Sequence, residues 1–449
     1  MNDKPNILMI TVDSLRADHL GCYGYYRSTS PRIDELAEEG ALAERLICSA
    51  IPTHPSYTTL YTGQHAITHG IVAHAGKNVL SRWAPFLSEF FMEAGYTTCA
   101  LDNLMRVRLW FGRGYEFYID SSISRPLVVN VSAEDISGRA IQWLRFYRNE
   151  QPFFMFLHYW DPHYPFVPPE RYRHLFYEGR DPTDPNNHSL DPWWRHPIGA
   201  GARETWLRTP NGHITDAQYV IALYDQEIRY LDDGVDELLQ ALDELGLAEN
   251  TLVVFTADHG ESMTEHGIFF EHHGLYDAVL HIPLIVRLPG RIPPGSRLPQ
   301  VFQTQDLAPT LLEAAALPIP REMEGCSMWK LLTGQEQEGG YERVISLECS
   351  WQAKWSLRTH RYSFILAREP DLYGTPMREL YDLGTDPGEE HNIAEEKPEI
   401  AARMEAELEG WIADRLQALG KSEDPLREHG ISLLEGRPRG VESLWAGAG

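Results

Sequence analysis

The chain has 449 residues, of which 43% are hydrophobic and 23% charged, a composition typical of a globular protein that is not fibrous or disordered. Its 39 Lys and Arg against 65 Asp and Glu give a formal net charge of −26, which argues against nucleic acid or an anionic membrane as the main partner. Five cysteines without a CxxC spacing predict free thiols and no cysteine metal site. Because we find no leader pattern and no run of about 18 apolar residues, we expect a cytoplasmic protein without a membrane span.

Short apolar runs that alternate with amphipathic segments predict an α/β fold. The first run, NILMITV at residues 6–12, is typical of a buried parallel strand. Similar runs follow at 97–101, 152–158, 251–257 and 282–288, and amphipathic helices are predicted at 84–95 and 219–246. We therefore expect a large, mostly parallel sheet flanked by helices, with functional residues beyond the carboxyl ends of its strands.

Changes in residue composition and in the pattern of apolar residues divide the chain into three predicted parts. Residues 1–337 form the catalytic α/β domain, interrupted at 170–215 by an irregular insertion, for which a lid, an oligomer contact and a mobile loop all stay open. Residues 338–420 form a small α+β subdomain that ends in a charged helix. Residues 421–449 are a weakly patterned tail.

Acidic and imidazole residues follow three of the predicted strands. Asp13 ends NILMITVD, Asp161 and His163 follow FFMFLHY, and Asp258 and His259 follow TLVVFTA. Converging carboxylates and imidazoles suit a divalent cation, and mixed oxygen and nitrogen ligands favour Mn or Zn over Ca. A helix N-cap explains Asp13 alone equally well, but its combination with Asp258 and His259 favours metal binding.

The stretch SAIPTHPSYTTLYTG places Thr53 at the start of a predicted helix that ends at Gly63. Taken alone, Thr53 is well explained as an N-cap. A helix N-terminus also favours an anion, and a metal could activate the hydroxyl. Together with the strand-end carboxylates, this position favours a catalytic hydroxyl.

Five blocks occur in order from residue 5 to about residue 415: ITVDSLRADHLGCYGY, PTHPSYTTLYTG, FTADHGE, QDLAPTLLEAAALPIP and ELYDLGTDPGEEHNIA. They resemble the motifs of the sulfatase family within the alkaline phosphatase superfamily. The resemblance implies an alkaline phosphatase-like fold with a small C-terminal subdomain. It also implies that Asp13, Thr53, Asp258 and His259 bind the metal and that Thr53 is the nucleophile.

The resemblance further implies contacts with the substrate. His163 would contact the leaving group or substrate, and His273 would bind the anion, with His272 as the alternative. Asp161, His163 and His273 could instead form a second metal site, although one ion is favoured over two. Three further residues are expected to bind substrate: His54, Tyr57 and Asn103.

Departures from the family motif change the expected chemistry. Sulfatases convert a motif cysteine to formylglycine, which Thr53 cannot become, and Tyr57 stands where the motif has arginine. A phosphothreonine can be hydrolysed by in-line displacement, so a phosphodiesterase or phosphonate monoesterase is the leading interpretation. A threonine-dependent sulfuric ester hydrolase and a non-catalytic binding protein are the alternatives. The expected partner is a small anionic ester, and homo-oligomer formation is left open.

Overall fold

Buried apolar runs form the centre of the computed structural model, which describes residues 4–74, 76–123, 129, 131–147 and 151–431. β1, β6 and β9 are buried along their whole length, as expected for strands covered on both faces. The strands of the described chain are β1 Asn6–Val12, β2 Ala41–Ile47, β3 Ala50–Ile51, β4 Thr97–Leu101, β5 Phe117–Ile119, β6 Phe153–Tyr159, β7 Arg208–Thr209, β8 Gly212–His213, β9 Thr251–Ala257, β10 His281–Ile282, β11 Leu284–Arg287, β12 Ser296–Gln303, β13 Arg343–Cys349, β14 Ala353–Thr359, β15 Tyr362–Ala367 and β16 Arg378–Asp382.

The large sheet has the order β10-β2-β11-β9-β1-β6-β4-β5, with β12 paired to β2. β1 lies between β6 and β9 and is parallel to both, and Val12 is level with Tyr159 and with Ala257. The residues that follow these three strands therefore emerge at one edge of the sheet. β11, which the sequence pattern grouped with the parallel strands, is antiparallel to both of its neighbours, β2 and β9.

Helices surround this sheet and confirm the predicted α/β class. α5 begins with a capping box between Ser132 and Asp135, and the Asp216 side chain caps α8. In the described residues the helices are α1 Pro31–Glu39, α2 Thr53–Thr62, α3 Ala66–His69, α4 Leu87–Glu93, α5 Ala133–Phe146, α6 Asp191–Trp194, α7 Pro197–Glu204, α8 Ala217–Glu244, α9 Asp277–Leu280, α10 Leu307–Ala314, α11 Trp329–Leu332, α12 Pro398–Ala418 and α13 Pro425–His429. None of these helices is both long and apolar enough to cross a membrane.

A second sheet, of order β16-β15-β14-β13-β3, lies in the C-terminal part of the chain and carries α12 against it. Its last strand, β3, comes from the N-terminal half: Ala50 pairs with Leu347, and Ile51 pairs with Glu348. Because β3 ends two residues before Thr53, the second sheet holds the start of α2. Residues 432–449 of the predicted tail lie outside the described residues, and residues 425–429 form α13.

The insertion at 170–215 contains α6, α7 and the β7–β8 hairpin. Trp193, only 1% exposed, joins it to the core. The indole packs against Phe270 at 4.9 Å between ring centroids, and against Tyr164 and Trp206 at 6.4 Å each. This aromatic contact anchors the insertion to the loop that follows β9.

We expect Trp193→Ala to lower the free energy of unfolding by about 3–5 kcal/mol, since it removes a buried indole from a packed aromatic group. Thermal and urea unfolding measure the loss, and Trp83→Ala, at a tryptophan that is 86% exposed, is the matched control. Equal stability of the two variants would contradict the anchoring role of Trp193.

Candidate functional site

Three residues that follow β1 and β9 meet at the edge of the large sheet. One potential ligand atom each from Asp13, Asp258 and His259 lies within 4.8 Å of the others, and all three residues are fully buried. No other group of three or more His, Cys, Asp or Glu residues comes together this way in the part of the chain that the structure describes. The metal ligands predicted from strand ends are thus brought together.

Hydrogen bonds fix how Asp258 and His259 face this cluster. Asp258 Oδ1 accepts from the backbone N–H groups of His259 at 2.8 Å and Ser14 at 3.2 Å, whereas Oδ2 is buried without a hydrogen-bond partner. His259 Nδ1 faces the Gly260 carbonyl oxygen at 3.0 Å, so Nδ1 carries the proton and Nε2 offers its lone pair. Nε2 lies 3.2 Å from Asp258 Oδ2. This orientation suits metal ligation.

Two local backbone features support the cluster. Ser14 has a left-handed backbone (φ 58°), which is uncommon for a residue with a side chain and turns its N–H toward Asp258. A Cβ on Gly260 would lie 2.1 Å from the Ala278 carbonyl oxygen, so only glycine fits directly after His259. The left-handed backbone at Ser14 and the glycine at position 260 therefore both help to place Asp258 and His259 at this edge of the sheet.

The two buried carboxylates of the cluster, on Asp13 and Asp258, favour a bound cation. Burial, and then the nearby Asp13 charge, raise the pKa of Asp258 well above its usual range. Burial would also raise the pKa of Asp13, but His163, His158 and His259 outweigh that effect and lower it. Two adjacent buried carboxylates with one unpartnered oxygen and an imidazole lone pair fit a divalent cation, consistent with the oxygen and nitrogen donors that such ions accept.

Thr53 lies beside this cluster as the first residue of α2. Its Oγ1 is 3.3 Å from His259 Nε2, and the residue is 2% exposed. Three residues later, the Ser56 hydroxyl donates to the Asp258 carbonyl oxygen at 2.6 Å, which ties the helix to the metal loop. Cys48 Sγ donates to the same carbonyl at 2.9 Å and is buried.

His163 and His272 border the cluster on its more open side, with side chains 15% and 19% exposed. His163 Nε2 lies 4.0 Å from Asp13 Oδ1, and its Nδ1 donates to the Tyr164 carbonyl oxygen. The His272 ring packs on His259 at 4.7 Å and on His163 at 5.3 Å. Burial lowers the pKa of His272, but the Glu261 carboxylate 3.7 Å away outweighs it and raises the pKa to about 9. The His272 imidazole therefore lies between the Glu261 carboxylate and the cluster.

The structure bonds His273, which was predicted as the anion contact with His272 as the alternative, to the second sheet. His273 is 2% exposed, and its Nδ1 lies 2.7 Å from Glu348 Oε1 on β13. Glu348 also accepts from the Gly274 N–H at 2.9 Å. His273 therefore fastens the loop to the second sheet, while its neighbour His272 faces the cluster.

The alternative second metal site is not assembled either. Asp161 Oδ2 accepts from the Ala133 N–H at the start of α5 at 2.6 Å, and its carboxyl group pairs with Glu227. The three residues of that site thus use their polar atoms on different partners. Of the three, only His163 lies at the cluster.

Two of the three residues expected to bind substrate are buried around His158. Tyr57 has no exposed surface, and its hydroxyl donates to Thr11 Oγ1 at 3.2 Å. Asn103, 3% exposed, accepts from the Trp160 indole N–H at 3.2 Å. His54 stacks on His74 at 3.8 Å, and burial lowers the pKa of His54 to about 4.

His158 and Asp102 are site residues that sequence reasoning missed. His158 Nε2 lies 3.3 Å from Asp13 Oδ2, and its Nδ1 lies 2.9 Å from Asp102 Oδ1. Burial lowers the pKa of His158, but hydrogen bonds to both carboxylates outweigh it and raise the pKa to about 9. The available signal was the position of Asp102 directly after the strand run TTCAL, which β4 places beside β6.

Comparison with known proteins fits this geometry. The family described as Sulfatase matches residues 5–317. The chain belongs to the sulfatase family. A second family, described as N-sulphoglucosamine sulphohydrolase, C-terminal, matches residues 264–414.

Individual relatives cover nearly the whole chain. The Delta 4,5-hexuronate-2-O-sulfatase of Bacteroides thetaiotaomicron is 25% identical over 94% of this chain and 92% of its own. Two solved structures share the fold: a 2-O GAG sulfatase (TM-score 0.73, 23% identity, 95% of this chain and 97% of that one) and the phosphonate monoester hydrolase of Agrobacterium radiobacter (TM-score 0.70, 22% identity, 93% and 95%). The chain is thus a sulfatase-family hydrolase. Its fold occurs both in a sulfatase and in a phosphonate monoester hydrolase.

Mn²⁺ or Zn²⁺ should raise the melting temperature of the chelator-treated protein, because binding to the folded state alone adds about 2.7 kcal/mol at a free concentration of 100 times Kd. Asp258→Asn should abolish that rise. Asp232→Asn is the matched control: Asp232 is buried, but it accepts from the Ile33 N–H at the start of α1. A metal-dependent rise that survives in Asp258→Asn would contradict the ligand assignment.

Substitutions at the neighbouring residues His272 and His273 should have different effects, one on activity and the other on stability. We expect His272→Ala to lower kcat/KM for an activated aryl ester by about 10²–10³-fold with little change in melting temperature, since it removes a charged donor. His273→Ala should instead cost about 1–3 kcal/mol of stability, because Glu348 loses a buried partner. Steady-state kinetics and thermal unfolding of both variants test the assignment, and the reverse pattern would return the anion contact to His273.

Proposed function

We propose that the protein is a metal-dependent hydrolase of phosphodiesters or phosphonate monoesters with Thr53 as the nucleophile. The observation that carries the proposal is the position of Thr53 Oγ1. It lies at the N-terminus of α2, 3.3 Å from His259 Nε2, the nitrogen that offers its lone pair to the cluster. A divalent cation held by Asp13, Asp258 and His259, with Mn²⁺ or Zn²⁺ favoured, would supply hydroxyl activation and charge neutralisation at the phosphoryl oxygens.

In this proposal each of the residues at the site has a separate role in an in-line displacement at phosphorus. Thr53 Oγ1 attacks phosphorus, so an Oγ–P bond forms and the bond to the leaving-group oxygen breaks. The N-terminal N–H groups of α2 stabilise the anionic ester at the point of attack. His272 binds the non-bridging oxygens, and the Nε2 lone pair of His163 takes the proton that Thr53 Oγ1 releases and passes it to the departing alkoxide oxygen. Water then cleaves the Oγ–P bond and regenerates Thr53.

Threonine is the reason that phosphorus is favoured over sulfur. A formylglycine hydrate expels sulfate by collapsing to an aldehyde, and a threonine ester has no such route. A phosphothreonine ester opens by attack of water at phosphorus. The fold shared with a phosphonate monoester hydrolase supports this interpretation.

A sulfuric ester hydrolase is the second candidate. The hexuronate-2-O-sulfatase relative and the match of residues 264–414 to a sulphohydrolase C-terminal family favour it. In this case the same residues would hold a sulfate ester, and Thr53 would act without formylglycine.

The deciding measurement is kcat/KM for an aryl phosphodiester, an aryl phosphonate monoester, an aryl phosphomonoester and an aryl sulfate, each with Mn²⁺ and with Zn²⁺. We expect the first two to be cleaved fastest, and chelation to stop turnover. A larger kcat/KM for the aryl sulfate would instead establish the second candidate. Absence of turnover with every ester would favour a binding protein.

Thr53→Ala should lower kcat by roughly 10³-fold or more, since it removes the attacking oxygen. Thr62→Ala, in the same helix and with a hydroxyl bonded to the Thr58 carbonyl oxygen, is the matched control. Acid-quenched mass spectrometry should find a phosphoryl adduct on the peptide with Thr53. Full activity of Thr53→Ala would show that the nucleophile lies elsewhere.

A further inference from the structure

His158 is a buried imidazole that bridges two carboxylates, and the proposed reaction does not use it. Its Nε2 lies 3.3 Å from Asp13 Oδ2, and its Nδ1 lies 2.9 Å from Asp102 Oδ1. We propose that His158 is a positioning residue that restricts Asp13 to binding the metal through Oδ1. The inference rests on the metal centre of the proposed function, but not on the choice of substrate.

The surroundings of His158 hold its ring in one orientation. The Tyr57 ring meets it edge-on at 4.9 Å, and the Trp160 ring lies 4.6 Å away on a tilt. Trp160 is in turn fixed by the hydrogen bond from its indole N–H to Asn103. These contacts give the two predicted substrate residues, Tyr57 and Asn103, a different role: they enclose the imidazole that orients Asp13.

Asp102 is held as firmly as the histidine. It lies directly after β4, is 4% exposed, and accepts on Oδ2 from the Tyr118 hydroxyl. Its Oδ1 remains for His158, so the carboxylate cannot turn away without leaving a buried imidazole N–H unpartnered. The bridge therefore runs from Tyr118 through Asp102 and His158 to Asp13, across the adjacent strands β5, β4, β6 and β1.

The bridge leaves the two oxygens of Asp13 with different neighbours. Oδ2 faces His158, whereas Oδ1 lies 4.0 Å from His259 Nε2 and 4.0 Å from His163 Nε2. The Ser14 hydroxyl donates to Oδ1 at 3.1 Å, which leaves a lone pair of this oxygen toward the cluster. A metal that binds Asp13 therefore meets Oδ1, while the imidazole covers Oδ2.

His158 is itself set apart from the ligand group. It does not belong to the trio of described residues whose ligand atoms lie within 4.8 Å of one another. Outer partners of this kind orient a ligand, and their loss typically costs about 10–100-fold in metal affinity. His158 therefore acts on the metal through Asp13.

Metal titration of the full chain tests the inference without any substrate. Isothermal titration calorimetry with Mn²⁺ and elemental analysis would be applied to the chelator-treated wild type, His158→Ala, His158→Gln and Asp102→Asn. His69→Ala is the matched control, because His69 is a buried imidazole whose two ring nitrogens bond to the Thr59 hydroxyl and to the Ile71 N–H. Circular dichroism and melting temperature confirm that each variant is folded.

We expect wild type and His69→Ala to bind one Mn²⁺ per chain with equal affinity. His158→Ala should bind one ion about 10–100-fold more weakly. His158→Gln, whose amide N–H can still donate to Asp13 Oδ2, should recover part of the loss, and Asp102→Asn should fall between wild type and His158→Ala. Should His158→Ala fail to fold, the Gln and Asn variants still decide the question.

Two results would overturn the inference. One is wild-type affinity in His158→Ala or in both milder variants. The other is two ions per wild-type chain with one in His158→Ala, which would make His158 a ligand of a second ion. If Mn²⁺ binds as expected but no ester is hydrolysed, the proposed function fails while the role of His158 stands. If wild type binds no divalent cation, the metal centre and this inference fail together.

Discussion

The site depends on one electrostatic constraint: Asp13 and Asp258 are buried side by side. Each follows a central strand of a parallel pair, so the sheet itself forces their carboxylates together. Two such charges out of water repel unless a cation or protons lie between them. Most of the surrounding detail follows from this: N–H groups on one oxygen of Asp258, an imidazole lone pair from His259, and His158 on the far side of Asp13.

The sequence predicted the parts of this arrangement that come from local pattern. Continuous apolar runs fixed β1 and β9, and an acidic residue at the end of each is visible without a structure. Which strands become neighbours is a tertiary matter, so the pairing of Asp102 with His158 through adjacent β4 and β6 was not predictable. Likewise, the role of His273 depends on Glu348, 75 residues later in the chain.

Two residues that were predicted to lie at the site have core partners for a common physical reason. Asp161 and Tyr57 stand at motif positions where a family member would place functional groups, yet here their polar atoms find partners in the core. A motif fixes the backbone path, and the side chain then bonds to whatever group its own neighbours offer. Family membership therefore determines the fold, while the partners of an individual side chain depend on the residues around it.

The two-residue strand β3 has a consequence for how the molecule can be divided. It joins the second sheet immediately before Thr53, and its partner Glu348 also holds the loop that carries His272. The C-terminal sheet thus supports, by separate contacts, both the start of the helix that carries Thr53 and the loop that carries His272. A truncated chain that kept the whole large sheet but ended before β13 would leave both β3 and the loop that carries His272 without these partners.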